Sequence, residues 1–206
     1  PVALAAPAQV SGTGGPISYN VTFGYTGTFT ASPRGLIAAV TANGTVVDDP
    51  GDSFNPNGPG VTAFPVMIPA GTTYARFSLF DANFTPPSDL DLYVLNSAGV
   101  IVGASGSGTS NEEVNLVNPA AGAYTVYVHG FGVTGTANFT LFRWLLGSTS
   151  AGNMTVSAPA SATQGATGAI NLTFSGLSAG TKYLGSVAYS GVTGLPNPTI
   201  VRVDTP

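Results

Sequence analysis

Five Lys or Arg, nine Asp or Glu and a single His are the ionisable side chains of 206 residues besides its tyrosines, and Cys is absent. Eight of the nine acids lie between residues 48 and 113, in three groups. The first is the loop VDDPGDSFNPNGPG, with Asp48, Asp49, Asp52, Asn55 and Asn57. The second is Asp81 with Asp89 and Asp91, and the third is Glu112-Glu113. Calcium takes about six to eight oxygens from carboxylates, amide carbonyls and backbone. A Gly/Pro-rich loop with interspersed Asp and Asn can supply them. A structural calcium ion is therefore expected at Asp48, Asp49, Asp52 and Asn55, or at Asp81, Asp89 and Asp91. The register of an EF-hand loop is missing. The competing reading is a solvated turn whose Asp and Asn cap their own backbone.

Hydrolytic chemistry finds less support. Gly108-Thr109-Ser110 and His129-Gly130 look like the first residues of a serine-protease nucleophile motif and its His motif. Ser110 is followed by Asn111 and Glu112 instead of Met-Ala, and His129 comes after the serine, not before it. A triad needs the base within reach of the nucleophile and a third group to orient it. Asp89 and Asp91 stand about 6–7 Å apart along one strand face, a spacing too common to mark a glycosidase pair. We expect no catalytic residue, and a surface or interface role for His129. Tyr93 and Tyr127 project from polar strand faces and Trp144 ends a strand. These three are candidate platforms for sugars or protein fibres, against the alternative that they are core.

The elements that carry these residues read as strands. Gly (28) and Pro (16) break nearly every helical window, and apolar residues recur with period two. Leu90, Leu92 and Val94 share one face of Asp89–Leu95, with Asp89, Asp91 and Tyr93 on the other. Tyr124, Val126 and Val128 oppose Thr125, Tyr127 and His129. Phe139, Leu141 and Arg143 oppose Asn138, Thr140, Phe142 and Trp144. Further strands are predicted at Ser18–Tyr25, Leu36–Ala42, Val61–Ile68, Tyr74–Phe80, Val100–Ala104, Glu113–Leu116, Met154–Ala158, Ala169–Phe174, Leu184–Tyr189 and Thr199–Val203. Asn43-Gly44, Pro50-Gly51, Ala98-Gly99 and Ala179-Gly180 are among the predicted turns. Tyr124, just after Gly122, reads either as a tyrosine corner, its hydroxyl on the preceding backbone, or as an ordinary core tyrosine.

Many short strands predict an all-β chain of antiparallel sandwiches. Charged residues are 7 %, against about 25 % in an ordinary domain, so Thr, Ser, Asn and Gly must carry solubility. That surface suits an extracellular protein. Five basic residues and a net charge of −4 exclude a footprint for nucleic acid or an anionic membrane. No apolar run reaches the length of a membrane span. A boundary is expected at GSTSAG, dividing 1–146 from 147–206. The second part is short of the roughly 100 residues of an immunoglobulin sandwich. It is either reduced or borrows strands from residues 1–40.

Ile68–Gly132 resembles the bacterial pre-peptidase C-terminal domain. The resemblance rests on IPAGTTYARFSLF, DLDLYVLNSAG, VIVGAS and NPAAGAYTVYVHGF, in that order. Met154–Pro206, through INLTFSGLSAGTKYLGSVAYS and TIVRVDTP, resembles the fibronectin/immunoglobulin-like tail that follows this domain in secreted subtilisin-like serine proteases. The resemblance implies a jelly-roll-like sandwich followed by a smaller fibronectin/immunoglobulin-like one. It also implies a secreted, non-catalytic accessory region, covalently linked to an upstream protease domain and able to engage protein or polysaccharide. The alternative is an adhesion or carbohydrate-binding module acting in its own right.

Overall fold

The computed structural model describes residues 2–81 and 88–206. The described chain is all-β: it has no α-helix and therefore none long and apolar enough to cross a membrane. It divides into two compact units, one of residues 40–145 and one of residues 1–39 with 146–206.

In the 40–145 unit two four-stranded sheets share one core. One sheet is ordered β10 (Ile101–Ser105), β9 (Asp89–Asn96), β12 (Gly122–Gly132) and β7 (Val61–Ile68). The other is ordered β11 (Glu112–Val117), β8 (Tyr74–Leu79), β13 (Thr136–Leu146) and β6 (Val40–Val47). The predicted alternation sets what lies between them. Leu90, Leu92, Val94, Val126 and Val128 from the first sheet meet Ala75, Phe77, Leu79, Phe139 and Leu141 from the second in one apolar cluster. Two inner faces packed into one core define a β-sandwich. Tyr124 forms the corner: its hydroxyl donates to Ala120 O at 2.8 Å.

The other unit is built from both ends of the chain. One sheet is β1 (Leu4–Ala5), β3 (Ile17–Phe23), β16 (Thr167–Phe174) and β14 (Met154–Ser157). The second is β2 (Gln9–Gly12), β18 (Thr199–Asp204), β17 (Lys182–Ser190) and β5 (Thr30–Ala38). A small pair joins β4 (Gly27–Thr28) to β15 (Ser161–Ala162). Among the described strands of this unit only β2 pairs in parallel, with β18, and a single parallel bridge links Gly35 to Ser150. Phe23, Phe29, Leu36, Ile170, Leu172, Val187, Val201 and Val203 share the core. Residues 1–39 thus fold with the C-terminal segment, and the first unit begins at Val40 instead of residue 1. The C-terminal part borrows its missing strands.

Two local predictions fail for identifiable reasons. The apolar run Leu36–Ala42 reads as one strand, but it spans the end of β5 and the start of β6, on either side of Ala39 where the units divide. Asn43-Gly44 reads as a turn, yet it lies inside β6. A Cβ on Gly44 would sit 2.6 Å from Phe139 Cζ and 2.9 Å from Phe64 Cζ. The glycine is there for a close approach of rings to backbone, not for a bend.

Candidate functional site

The outer face of the β10-β9-β12-β7 sheet holds the one His and Asp91, and the first acidic group lies in the segment above it. The register sets His129 on β12 opposite Asp91 on β9, and Tyr127 opposite Tyr93. These are the polar positions of each strand, which alternation alone assigns to solvent. Solvent does not reach them freely, because the segment between β6 and β7 folds back over the sheet.

Both ends of that segment are tied to one residue. Asp49 N donates to Gly130 O at 2.8 Å, and Gly130 N donates to Gly60 O at 2.9 Å. Gly130 permits this: a Cβ there would lie 2.2 Å from Val47 O. Between the ties, Phe54 lies flat on Tyr93, with ring centroids 3.9 Å apart and planes 4° apart, and edge-on to Tyr127 and His129. Asp48 holds the following turn, accepting from Val133 N at 2.8 Å.

Beneath this cover His129 is 1 % exposed. Its Nε2 lies 2.8 Å from Asp49 Oδ2, and its Nδ1 lies 3.7 Å from Asp91 Oδ2, too far for a hydrogen bond. The bond from His129 holds the Asp49 carboxyl below the usual carboxylate range, helped by the amides of Gly51 and Ser53. An ionised Asp49 needs a donor, so Nε2 carries the proton. Asp91 goes the other way. Burial, and then the charges of Asp89 and Glu112, push it up to about 6, against a smaller opposing pull from His129. Burial and Glu112 raise Asp89 as well. Glu112 is buried and well provided, with Oε1 accepting from Ser107 N at 2.8 Å and Oε2 from Ser105 Oγ.

His129 is therefore a buried structural residue and not a surface one. It is bound to Asp49 of the first acidic group, 80 positions away in sequence, and stands opposite Asp91 of the second. The signal that could have found it is weak: one His in the chain, on a strand opposite an Asp.

The remaining predicted residues are placed as follows. Asn55 Oδ1 accepts from Asn57 N at 2.9 Å, and Asp52 stands in the left-handed region at φ 50°. Both serve the turn. Asp81 pairs with Asn111 and accepts from Ser110 N at 2.9 Å. No set of three or more His, Asp or Glu side chains among the described residues is arranged to hold a metal ion. Ser110 is fully buried; its Oγ accepts from Leu90 N and donates to Ser88 O, so its proton serves a backbone carbonyl. Tyr93 and Tyr127 are half-buried against Phe54, and Trp144 is 4 % exposed, stacked with Phe142. None of the three is a free platform.

The fold and this site define an all-β protein of two sandwiches, one of which carries a loop locked by a buried Asp-His pair. Sixty-eight residues, 33 % of the chain, are 37 % identical to part of pyrolysin from Pyrococcus furiosus. The match covers 5 % of that protein, so the chain spans a small fraction of its relative's length. No family model matches the chain.

Proposed function

We propose that the chain is a non-catalytic accessory region of a secreted subtilisin-like serine protease, serving stability, secretion or engagement of substrates and surfaces outside the cell. The similarity to pyrolysin, a subtilisin-like protease, carries this reading. We read residues 40–145 as the sandwich resembling the pre-peptidase C-terminal domain, and the other unit as the fibronectin/immunoglobulin-like one. The site supports the absence of catalysis. Its imidazole is bound to a carboxylate and enclosed by rings, and Ser110 donates elsewhere. A nucleophile and its base must share a hydrogen bond.

Two measurements test the reading. The gene upstream of Pro1 should encode an Asp-His-Ser catalytic domain in frame. The chain itself should leave casein intact and take no label from a fluorophosphonate. Tandem sandwiches upstream with no protease domain would favour an adhesion module, and labelling at Ser110 would make the chain a hydrolase.

A further inference from the structure

The strand β13 carries an anomaly at its end. Ala137, Phe139 and Leu141 alternate into the core and are buried. Arg143 is next in that row, half-buried, where the pattern calls for another apolar side chain. The 40–145 unit has eight acids and only two other groups able to carry positive charge. Arg76 lies 3.5 Å from Glu113, and His129 is bound to Asp49. The Arg143 side chain has neither a hydrogen bond nor an ion pair with any described residue. A half-buried arginine whose guanidinium has no anion forgoes the charge-assisted bonds it is built to make.

Beside it lies a cavity of about 220 Å3, whose other lining is Val40, Thr41, Ala42, Phe64, Pro65, Val66 and Leu141. An apolar cavity of about 150 Å3 holds a benzene molecule, so this one has room for one large apolar side chain. It opens between β6 and β7, each the outermost strand of its sheet. An outermost strand leaves backbone N–H and C=O groups unpaired, and these recognise an extended peptide.

We propose that this cavity binds the C-terminal residue of a peptide ending in an apolar side chain. The side chain fills the slot against Phe64 and Leu141, and the terminal carboxylate pairs with Arg143. Charge complementarity selects the carboxylate, and the free strand edges select a peptide over a free acid. Carboxyl termini are what proteolysis of a protein leaves behind. The site is independent of the accessory-region reading and stands or falls without it.

The test is a titration of the intact, 15N-labelled chain with three probes: N-acetyl-Ala-Ala-Leu with a free carboxylate, the same peptide as its C-terminal amide, and 4-methylpentanoate. The free-carboxylate peptide should saturate and shift the amides of residues 40–42, 64, 66 and 141–143. The amide should bind at least about tenfold more weakly, as expected for loss of a charge-assisted bond. Arg143→Gln should weaken the peptide by a similar factor, and Ala42→Leu, which fills the slot and leaves the guanidinium, should abolish binding. Thermal melts of both variants check folding, and either one suffices. Equal binding of acid and amide, shifts confined to other residues, or no binding at low-millimolar peptide would overturn the proposal. So would 4-methylpentanoate binding as tightly as the peptide, which would make a free acid the occupant.

Discussion

The 40–145 unit fastens a segment with buried ionisable groups, whereas the unit built from both chain ends does so with neutral, partly buried hydroxyls. In the first, Asp49, Asp91, Glu112 and His129 are all buried. In the second, Tyr19, Tyr189 and Thr199 form a chain of hydroxyls, with oxygens 2.7 and 2.5 Å apart, that ends on Pro7 O. Thr199 donates to a carbonyl, so it accepts from Tyr189, which accepts from Tyr19. Burial raises both tyrosines, so the relay stays neutral. Both arrangements pin a distant segment. The hydroxyl relay ties the N-terminal segment to β18, and the Asp-His pair ties the 48–60 loop to β12. A neutral relay has the smaller desolvation cost. A charged lock is stronger per bond and makes its region sensitive to pH.

The largest expected effect separates the two units. Deleting residues 1–39 removes β3 and β5, the partners of β16 and β17, together with Phe23, Phe29 and Leu36 of the core. The resulting 40–206 chain should show dispersed NMR resonances for 40–145 and collapsed ones for 146–206. A dispersed spectrum throughout would refute the division.

Next comes the lock. His129→Ala leaves a void and the buried Asp49 carboxylate without its side-chain partner, and should cost on the order of 2–4 kcal/mol in urea unfolding. It should also expose the 48–60 loop to protease. A loss under about 0.5 kcal/mol would mean that the pair does not hold the loop.

The pH response sharpens the contrast. Asp91 has a folded pKa of about 6, above its unfolded value. The folded state therefore binds the extra proton, and stability falls as pH rises from about 4 to about 6. Asp49, held low, acts oppositely at the acid end: its contribution is lost as pH falls through its folded value. Asp91→Asn should flatten the decline in Tm between about pH 4 and 6 and raise Tm by a few degrees at neutral pH. An unchanged profile would show that burial of Asp91 carries no penalty. The unit built from both ends has only Asp204 as an acid, lowered by Arg202 and Lys182 against the opposing effect of burial. It should therefore show little change over that window.

The smallest effect is Tyr189→Phe, which removes one link of the neutral relay and should cost about 1 kcal/mol. A cost equal to that of His129→Ala would erase the difference between neutral and charged fastening.

Much of the 40–145 sandwich was readable from period-two alternation, which set the core faces of β9, β12 and β13. What alternation cannot report is whether the other face meets water. Thr125, Tyr127 and His129 look solvent-facing in one dimension, and the loop that covers the last two arrives from 80 residues away. Trp144, left open between platform and core, is 4 % exposed and stacked with Phe142. The Asp48–Asn57 loop was legible as a cluster of acids and amides able to cap their own turn, but its link to His129 was not. Asp49 proved to be a partner for His129, and Asn55 a cap for its own turn.

By itself the sequence determined the class of fold, the strands that make the cores and the poverty of reactive groups, because these follow from local periodicity and composition. Only the tertiary structure decided which strands share a sheet, that residues 1–39 complete the C-terminal unit, and that the lone histidine is buried between two aspartates. Those outcomes depend on contacts between residues far apart in the chain. Such contacts form because burying a sheet face and satisfying its polar groups outweigh the entropy of closing long loops.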